Sequence, residues 1–179
     1  MSTPPSMPMT GQARAADVAV REATAADAGA VARIYNHYVL ETIVTFEETA
    51  VAEQEMARRM DDVATAALPW LVAERAGSLV GYAYATRWKP RYGYRHSVEV
   101  TIYLDPSCQG EGIGSRLYAE LLENLRRLGL RVAVGGIALP NEASVALHEK
   151  MGMRKVAHFS AIGIKFGQWI DVGYWQIAL

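Results

Sequence analysis

The fold is decided by residues 97–115, SVEVTIYLDPSCQGEGIGS. Apolar and polar residues alternate in the first half of this stretch, which is the period of a half-buried strand, and the strand ends at Asp105-Pro106. Three glycines follow, and leucines then recur at helical spacing up to Leu128. The stretch therefore predicts a strand, a turn, a glycine-rich loop and an amphipathic helix whose apolar side packs on the sheet.

The glycine-rich loop predicts an anion site at the start of that helix. The first N–H groups of a helix are unpaired and carry partial positive charge, and Gly110, Gly112 and Gly114 let a phosphate approach the backbone closely. Glycines before a helix can also make a tight turn without a ligand, so the loop alone leaves both interpretations open. A P-loop is excluded because no lysine follows the last glycine, and a dinucleotide fingerprint is excluded by the G-x-G-x-G spacing.

Two spaced motifs carry a resemblance to a known family. Gln109-x-x-Gly112-x-Gly114 resembles the coenzyme A pyrophosphate loop of the GNAT superfamily of N-acetyltransferases, and Asn141-x-x-Ser144-x-x-x-His148 is similar to its second coenzyme A element. The likeness extends from about Val18 to the C-terminus. Its more specific part, to the phosphinothricin and methionine sulfoximine acetyltransferase branch, is carried by Ile34-Tyr35-Asn36, Thr45-Phe46, Trp88-Lys89-Pro90-Arg91, Val98-Glu99-Val100, Leu147-His148-Glu149 and Lys165-Phe166-Gly167-Gln168-Trp169.

The resemblance implies an α/β (α+β) GNAT fold, with a central mixed, mostly antiparallel twisted sheet of six to seven strands flanked by about four helices. We expect a flexible N-terminal tail over residues 1–17 and a single acetyltransferase domain over residues 18–179. A content of 51% apolar residues and a net charge of −1 fit a globular enzyme better than a nucleic-acid-binding protein. No apolar run is long enough to span a membrane.

Local patterns place the other elements. They predict a strand over 18–21, a helix over 25–40, an extended segment Thr42–Phe46, a helix over 53–62 and a hairpin over 70–87. Beyond the central helix they predict a strand over 131–137, a short helix after Asn141, and closing strands over 154–164 and 171–178 joined by residues 166–169. In the short helix, Asn141, Ser144 and His148 form one stripe facing a ligand, and Ala143, Leu147 and Met151 form another facing the core.

The resemblance implies acetyl-CoA as co-substrate, with no metal. Scattered histidines such as His37, His96 and His158 show no metal-ligand pattern. The residues implied to bind the coenzyme are Ile102, Tyr103, Leu104, Gln109, Gly110, Glu111, Gly112, Ile113, Gly114, Ser115, Asn141, Ser144 and Lys150.

Two side chains are candidates for proton transfer. An α-amine is mostly protonated at neutral pH, so a base must take its proton before it attacks a thioester. Glu99, on the polar face of the central strand, is the first candidate, directly or through a water. His148 is the second, and a histidine can act there as acid or as base. Cys108 has no partner base in sequence and is expected to be a passive thiol.

A basic and aromatic loop, residues 88–95, predicts an anionic small-molecule acceptor, because guanidinium and ammonium groups hold a carboxylate or phosphinate. Together with the resemblance it gives the substrate residues Phe46, Lys89, Pro90, Arg91, Tyr94, Val100 and Thr101.

The sequence thus predicts a cytoplasmic, homodimeric N-acetyltransferase of a small amino-acid analogue such as phosphinothricin, methionine sulfoximine or methionine sulfone, working by direct transfer. The cytoplasmic assignment rests on the single cysteine. Neither a nucleic acid nor a membrane is expected as a partner. The alternatives are an acetyltransferase of a protein N-terminus and a non-catalytic acyl-CoA-binding module.

Overall fold

A computed structural model describes residues 17–179. The tail predicted over residues 1–17 falls outside the described residues except for Asp17. In chain order the strands are β1 (Ala19–Glu22), β2 (Trp70–Arg75), β3 (Ser78–Arg87), β4 (Ser97–Leu104), β5 (Val132–Leu139), β6 (Arg154–Lys165) and β7 (Gln168–Ala178). The α-helices are α1 (Ala28–Glu41), α2 (Glu53–Thr65), α3 (Ile113–Arg127) and α4 (Glu142–Lys150).

The strands of this part of the chain form one 7-stranded sheet in the order β1-β2-β3-β4-β5-β7-β6. Among the described strands, only β4 and β5 pair in parallel. A parallel pair needs a crossover, which α3 supplies. The predicted mixed, mostly antiparallel sheet of six to seven strands with about four helices is confirmed.

Side-chain alternation along the strands separates the core into two layers. Val98 and Val100 of β4 face the layer under α3, with Leu117 and Leu121 of the helix fully buried against them. Tyr82 and Val72 point to the opposite face, which α1 and α2 cover. The period-2 pattern of the strands therefore dictates which side chains meet which helix.

The sheet opens at its centre. Parallel pairing of β4 with β5 stops after Ser97–Glu99 has met Val132–Val134. Beyond that point β4 stays with β3 as far as Leu104, and β5 stays with β7 as far as Leu139. The two strands diverge, and the edge of β4 that faces the gap has no strand partner from Val100 onward.

Three local predictions are wrong. Thr42–Phe46 is a bent loop and not an extended segment, because side-chain hydrogen bonds from Tyr35 and Lys165 hold it at Thr45. The connection between the last two strands is a two-residue turn, Phe166-Gly167, since Gln168 and Trp169 already pair with β6. Residues Ala25–Asp27 form a short 3₁₀ turn before α1 begins.

The loop between α1 and α2, residues 42–52, is fixed by side chains from three elements. Tyr35 Oη of α1 lies 2.7 Å from Thr45 Oγ1, and Arg59 of α2 pairs with Glu47 at 2.7 Å. Fully buried Lys165 of β6 donates to the carbonyl oxygens of Thr45 at 2.6 Å and Tyr38 at 3.2 Å. The loop is therefore rigid although it has no regular secondary structure.

No helix within residues 17–179 has both the length and the apolar character needed to cross a membrane.

The end of this loop is clamped by Asn36, which predicts a measurable stability loss on truncation. Its amide donates to the Val51 carbonyl at 2.9 Å and accepts from the Val51 N–H at 2.7 Å. Asn36→Ala leaves two backbone groups without their partner and should lower the free energy of unfolding by about 1–3 kcal/mol in denaturant titrations. Asn124→Ala is the matched control, because the Asn124 side chain makes no hydrogen bond with the described residues. Equal losses in the two variants would contradict the clamp.

Candidate active site

The gap between β4 and β5 continues into a cleft of about 580 Å³ beside the glycine-rich loop. One wall is β4, another is α4, and the end of α1 closes the third side. Eleven of the residues predicted to bind the coenzyme line it: Ile102, Tyr103, Leu104, Gln109, Gly110, Gly112, Gly114, Ser115, Asn141, Ser144 and Lys150.

The positive end of α3 opens into this cleft. Gly112 caps the helix with a φ of 83°, a left-handed conformation that favours glycine. The first turn of α3 contains no acidic residue to neutralise its unpaired N–H groups, and the Lys150 side chain lines the same cleft. This donor set fits a pyrophosphate.

Two predicted coenzyme residues do not line the cleft. The Glu111 carboxylate turns away and pairs with Arg75, and Ile113 is fully buried in the core under α3. Only the backbone of these two residues is available to a ligand at the loop. Arg75 also donates to Cys108 Sγ at 2.9 Å, and Cys108 is buried.

Glu99 is a half-buried carboxylate at the point where β4 leaves β5. It makes no hydrogen bond or ion pair with any described residue. Burial raises the pKa of Glu99, and the positive charge of Lys89 partly offsets this effect. A carboxylate with a raised pKa and free lone pairs can accept a proton from a bound amine.

His148 is almost fully buried, at 4% exposure. Its Nδ1 lies 2.7 Å from the Ser144 carbonyl oxygen, which can only accept, so Nδ1 carries the proton. In the neutral ring Nε2 is then an acceptor, and the Tyr118 hydroxyl donates to it at 3.0 Å. Burial lowers the pKa of His148, which keeps the ring neutral at neutral pH.

The glycine pair Gly135-Gly136 of β5 separates these two candidates. A side chain at Gly135 would collide with the His148 ring, and one at Gly136 would come within 3.3 Å of Glu99 Oε1. Successive residues of a strand point to opposite faces, so Glu99 and His148 lie on opposite sides of β5. Gly135 therefore has no room for a side chain, and one at Gly136 would require Tyr174 and Glu99 to shift slightly.

The two side-chain stripes predicted for α4 do not divide cleanly between the cleft and the core. Asn141 and Ser144 line the cleft as expected, and His148 reaches only a narrow extension of about 50 Å³ that Val100 and Thr101 also line. Ala143 and Leu147, expected in the core, line the main cleft as well. A broader face of this helix lines the cleft than the i, i+3, i+7 spacing of Asn141, Ser144 and His148 predicts.

The predicted acceptor residues are not brought into one pocket. Phe46 packs over Gly163 of β6 and remains 42% exposed. The Lys89 ammonium lies 4.7 Å from the centre of the Trp88 ring, near enough to Glu99 to influence it. Pro90, Arg91 and Tyr94 are exposed and line neither the cleft nor its extension.

Sequence reasoning missed two residues that shape this site. Tyr118 holds His148, and Lys165 holds the loop of Phe46. Tyr118 sits on the apolar stripe of α3, so nothing in its spacing distinguishes it from a core aromatic. Lys165 lies in a segment that carried the resemblance, but nothing in its spacing indicates that it is buried.

Residues 20–173 match the family model of the acetyltransferase (GNAT) domain. The chain belongs to the GNAT acetyltransferase family. It is 42% identical to phosphinothricin N-acetyltransferase of Streptomyces viridochromogenes, over 89% of this chain and 86% of the relative. It is 35% identical to the L-methionine sulfoximine/L-methionine sulfone acetyltransferase of Salmonella typhimurium, over 89% and 94%. The resemblance identified from the sequence is confirmed.

A solved relative carries the co-substrate. The phosphinothricin acetyltransferase of Sinorhizobium meliloti, in complex with acetyl-CoA, superimposes with a TM-score of 0.88 at 36% identity, over 91% of this chain and 89% of that one. This GNAT enzyme is accordingly an acetyl-CoA-dependent N-acetyltransferase. Residues 17–179 contain no group of three or more His, Cys, Asp or Glu side chains that could hold a metal ion.

The raised pKa of Glu99 predicts a stability effect that depends on pH. A carboxyl whose pKa is higher in the folded state stabilises the fold below its unfolded pKa, and this contribution is lost as pH rises through the folded value. Glu99→Gln is neutral throughout, so its melting temperature should exceed that of the wild type at pH 7–8, and the difference should shrink toward about pH 4. Thermal unfolding across this range measures it. Glu120→Gln, on the exposed side of α3, should show no such trend, and a Glu99→Gln variant less stable at neutral pH would contradict the assignment.

Proposed function

We propose that this enzyme transfers the acetyl group of acetyl-CoA directly to the α-amino group of a small amino-acid analogue of the phosphinothricin, methionine sulfoximine or methionine sulfone type. One observation carries the proposal: Glu99, a carboxylate without a partner among the described residues, lies where the pairing of β4 with β5 ends, beside Gly136, which lines the narrow extension of the cleft. The names of the relatives support the substrate class.

Acetyl-CoA supplies the thioester whose C–S bond breaks as the C–N bond to the amine forms. The unpaired edge of β4 beyond Val100 offers N–H and C=O groups that can pair with an extended ligand as an added strand would. Asn141, whose side chain already accepts from the Ser144 N–H at 3.1 Å, keeps its amide N–H₂ free to donate into the same cleft. The β4 backbone groups and the Asn141 amide together orient the thioester end of acetyl-CoA.

Glu99 accepts the proton of the incoming amine in this proposal. Its raised pKa makes the carboxylate a stronger base than an exposed glutamate, and its place opposite Gly136 leaves it accessible from the acceptor side. His148 is the weaker candidate, because burial lowers the pKa of its ring and the Nε2 lone pair already accepts from the Tyr118 hydroxyl. We assign His148 to holding α4, and through it Asn141, at the cleft.

Lys89 and Arg91 are proposed to attract the acidic end of the acceptor. Lys89 lies close enough to Glu99 to lower its pKa, so a ligand at Glu99 also lies within reach of the ammonium. Phe46, Pro90, Tyr94, Val100 and Thr101 complete the proposed acceptor residues, and closure of the basic loop, residues 88–95, would bring its exposed members inward.

We also propose that the enzyme is a cytoplasmic homodimer. Strand β6 is an edge of the sheet and, with β7, exposes a patch of large apolar side chains on residues Val156, Phe159, Ile162, Ile164 and Trp169. An exposed apolar edge strand is typical of an interface between copies. The single, reduced cysteine suits the cytoplasm.

The base assignment predicts a specific loss of activity. Glu99→Gln keeps the size of the side chain but removes its basicity, so kcat should fall about 10²- to 10⁴-fold while the affinity for acetyl-CoA is kept. Higher pH should restore part of the rate, because more of the acceptor amine is then neutral. Thiol release measured with methionine sulfone between pH 6 and 10 tests both points, with Glu120→Gln as control. Near-full activity of Glu99→Gln at neutral pH would exclude Glu99 as the base.

The coenzyme assignment predicts an effect at one end of α3 and none at the other. Gly112 and Gly129 both adopt a left-handed conformation, with φ of 83° and 74°, at opposite ends of the helix. An aspartate at either position costs similar backbone strain, but only Gly112→Asp places a negative charge at the N-terminus that receives the pyrophosphate. Acetyl-CoA should raise the melting temperature of the wild type and of Gly129→Asp but not of Gly112→Asp. An equal rise in both variants would refute the loop assignment.

A screen of acceptors separates the remaining functions. A non-catalytic acyl-CoA-binding module would bind acetyl-CoA and release no thiol with any acceptor. An acetyltransferase of a protein N-terminus would acetylate peptides in preference to free amino-acid analogues.

A further inference from the structure

A second cavity, of about 390 Å³, lies between α2 and the sheet, outside the coenzyme cleft. Ligand pockets in proteins are typically of this size or larger. Its walls are mainly aromatic and aliphatic, contributed by Tyr35, Met56, Val63, Leu68, Trp70, Tyr82 and Tyr84.

Three stacked rings form the floor of this cavity. The Trp70 and Tyr84 rings are 4.2 Å apart and tilted by 10°, and Tyr82 stacks on Trp70 at 5.7 Å. Trp70 Nε1 is buried and has no hydrogen-bond partner within the described residues. An unpaired buried donor costs about 1–3 kcal/mol, so its retention in a cavity wall is unusual for a purely structural core and indicates a ligand site.

The charged groups at the rim are largely neutralised by neighbours. Arg59 pairs with Glu47 and Glu55, each within 2.9 Å, and Asp62 pairs with Arg58 at 2.7 Å. Arg87 lies exposed at the open end. The interior therefore favours an uncharged apolar or aromatic group and offers little to a phosphinate or carboxylate.

The cavity adjoins Glu99 through the pairing of β3 with β4. Tyr84 lies opposite Thr101, and Thr86, at the cavity wall, lies opposite Glu99. Directly opposite residues in antiparallel strands point to the same face, with Cβ atoms about 4.5–5.5 Å apart. An amino acid whose amine lies at Glu99 can thus extend its side chain past Thr86 into the cavity.

We infer that this cavity is a side-chain pocket that makes the enzyme accept α-amino acids with large uncharged side chains, aromatic ones above all. The inference rests on the proposed function, since it takes Glu99 as the base for the acceptor amine. Acidic acceptors direct their charged end toward Lys89 instead. Two classes of acceptor therefore share one reacting amine position and use different side-chain sites.

Filling the cavity tests this assignment. Ala66 lines the cavity at the end of α2, whereas Ala64, two residues earlier, lines a separate surface groove. Ala66→Phe should raise KM for L-phenylalanine and L-tryptophan by about tenfold or more, and should leave KM for phosphinothricin and for acetyl-CoA within about twofold of wild type. Ala64→Phe is the matched control and should change none of these constants. Lys89→Ala should do the reverse, raising KM for phosphinothricin alone.

Two kinetic outcomes would overturn the assignment of this cavity as a side-chain pocket. The first is equal KM values for L-phenylalanine in Ala66→Phe and Ala64→Phe. The second is a wild-type enzyme that acetylates phosphinothricin but not L-phenylalanine or L-tryptophan.

If no amino acid is acetylated, the proposed function fails, and calorimetric titration of L-phenylalanine into the wild type and Ala66→Phe then decides on the pocket alone. Binding to the wild type only supports the pocket, and no binding, or equal binding to both proteins, refutes it.

Discussion

The site depends on the early end of the pairing between β4 and β5. The one parallel contact described in residues 17–179 lasts for three residue pairs, after which each strand follows its antiparallel neighbour. Backbone groups that would be satisfied in a continuous sheet are left for a ligand. The same divergence places Glu99 at the closed end of the gap and the start of α3 at the open end. In the proposed reaction, acetyl donor and amine acceptor meet where the pairing of β4 with β5 ends.

The two candidates for proton transfer, Glu99 and His148, lie on opposite faces of the sheet beside this interruption. Gly135 and Gly136, adjacent in sequence, admit His148 on one side of β5 and Glu99 on the other. Their lack of side chains lets two bulky polar groups approach one strand from both sides. This separation suits the proposed roles, with Glu99 as the base and His148 as the group that holds α4.

The fold was largely predictable because its signals are local and periodic. Alternation in β4, the glycines before α3 and the leucine stripe of α3 each follow from a few neighbouring residues. One part of the cleft wall was predictable for the same reason, since it comes from β4, the glycine-rich loop and the first turn of α3; the other part comes from α1, the loop after it, and α4 with its N-cap.

What could not be predicted depends on contacts between distant segments. The burial of His148 results from Tyr118, thirty positions away on a different helix. The bent conformation of Thr42–Phe46 is imposed by Tyr35 and Lys165, and the pattern of β-branched residues gives no sign of it. The aromatic cavity needs α2, β2 and β3 together, so no single stretch of sequence indicates it.

The buried ammonium of Lys165 has a mechanical consequence. It joins the last turn of α1, the loop carrying Phe46 and the end of β6 through two short hydrogen bonds. Burial lowers the pKa of Lys165, and the nearby carboxylates of Glu48 and Glu47 partly offset this effect. Strand β6 is an edge strand of the sheet, and the Phe46 ring packs against Gly163 of that strand. A displacement of β6 therefore acts directly on the loop of Phe46, because the Lys165 ammonium and the Phe46 ring both join that strand to the loop.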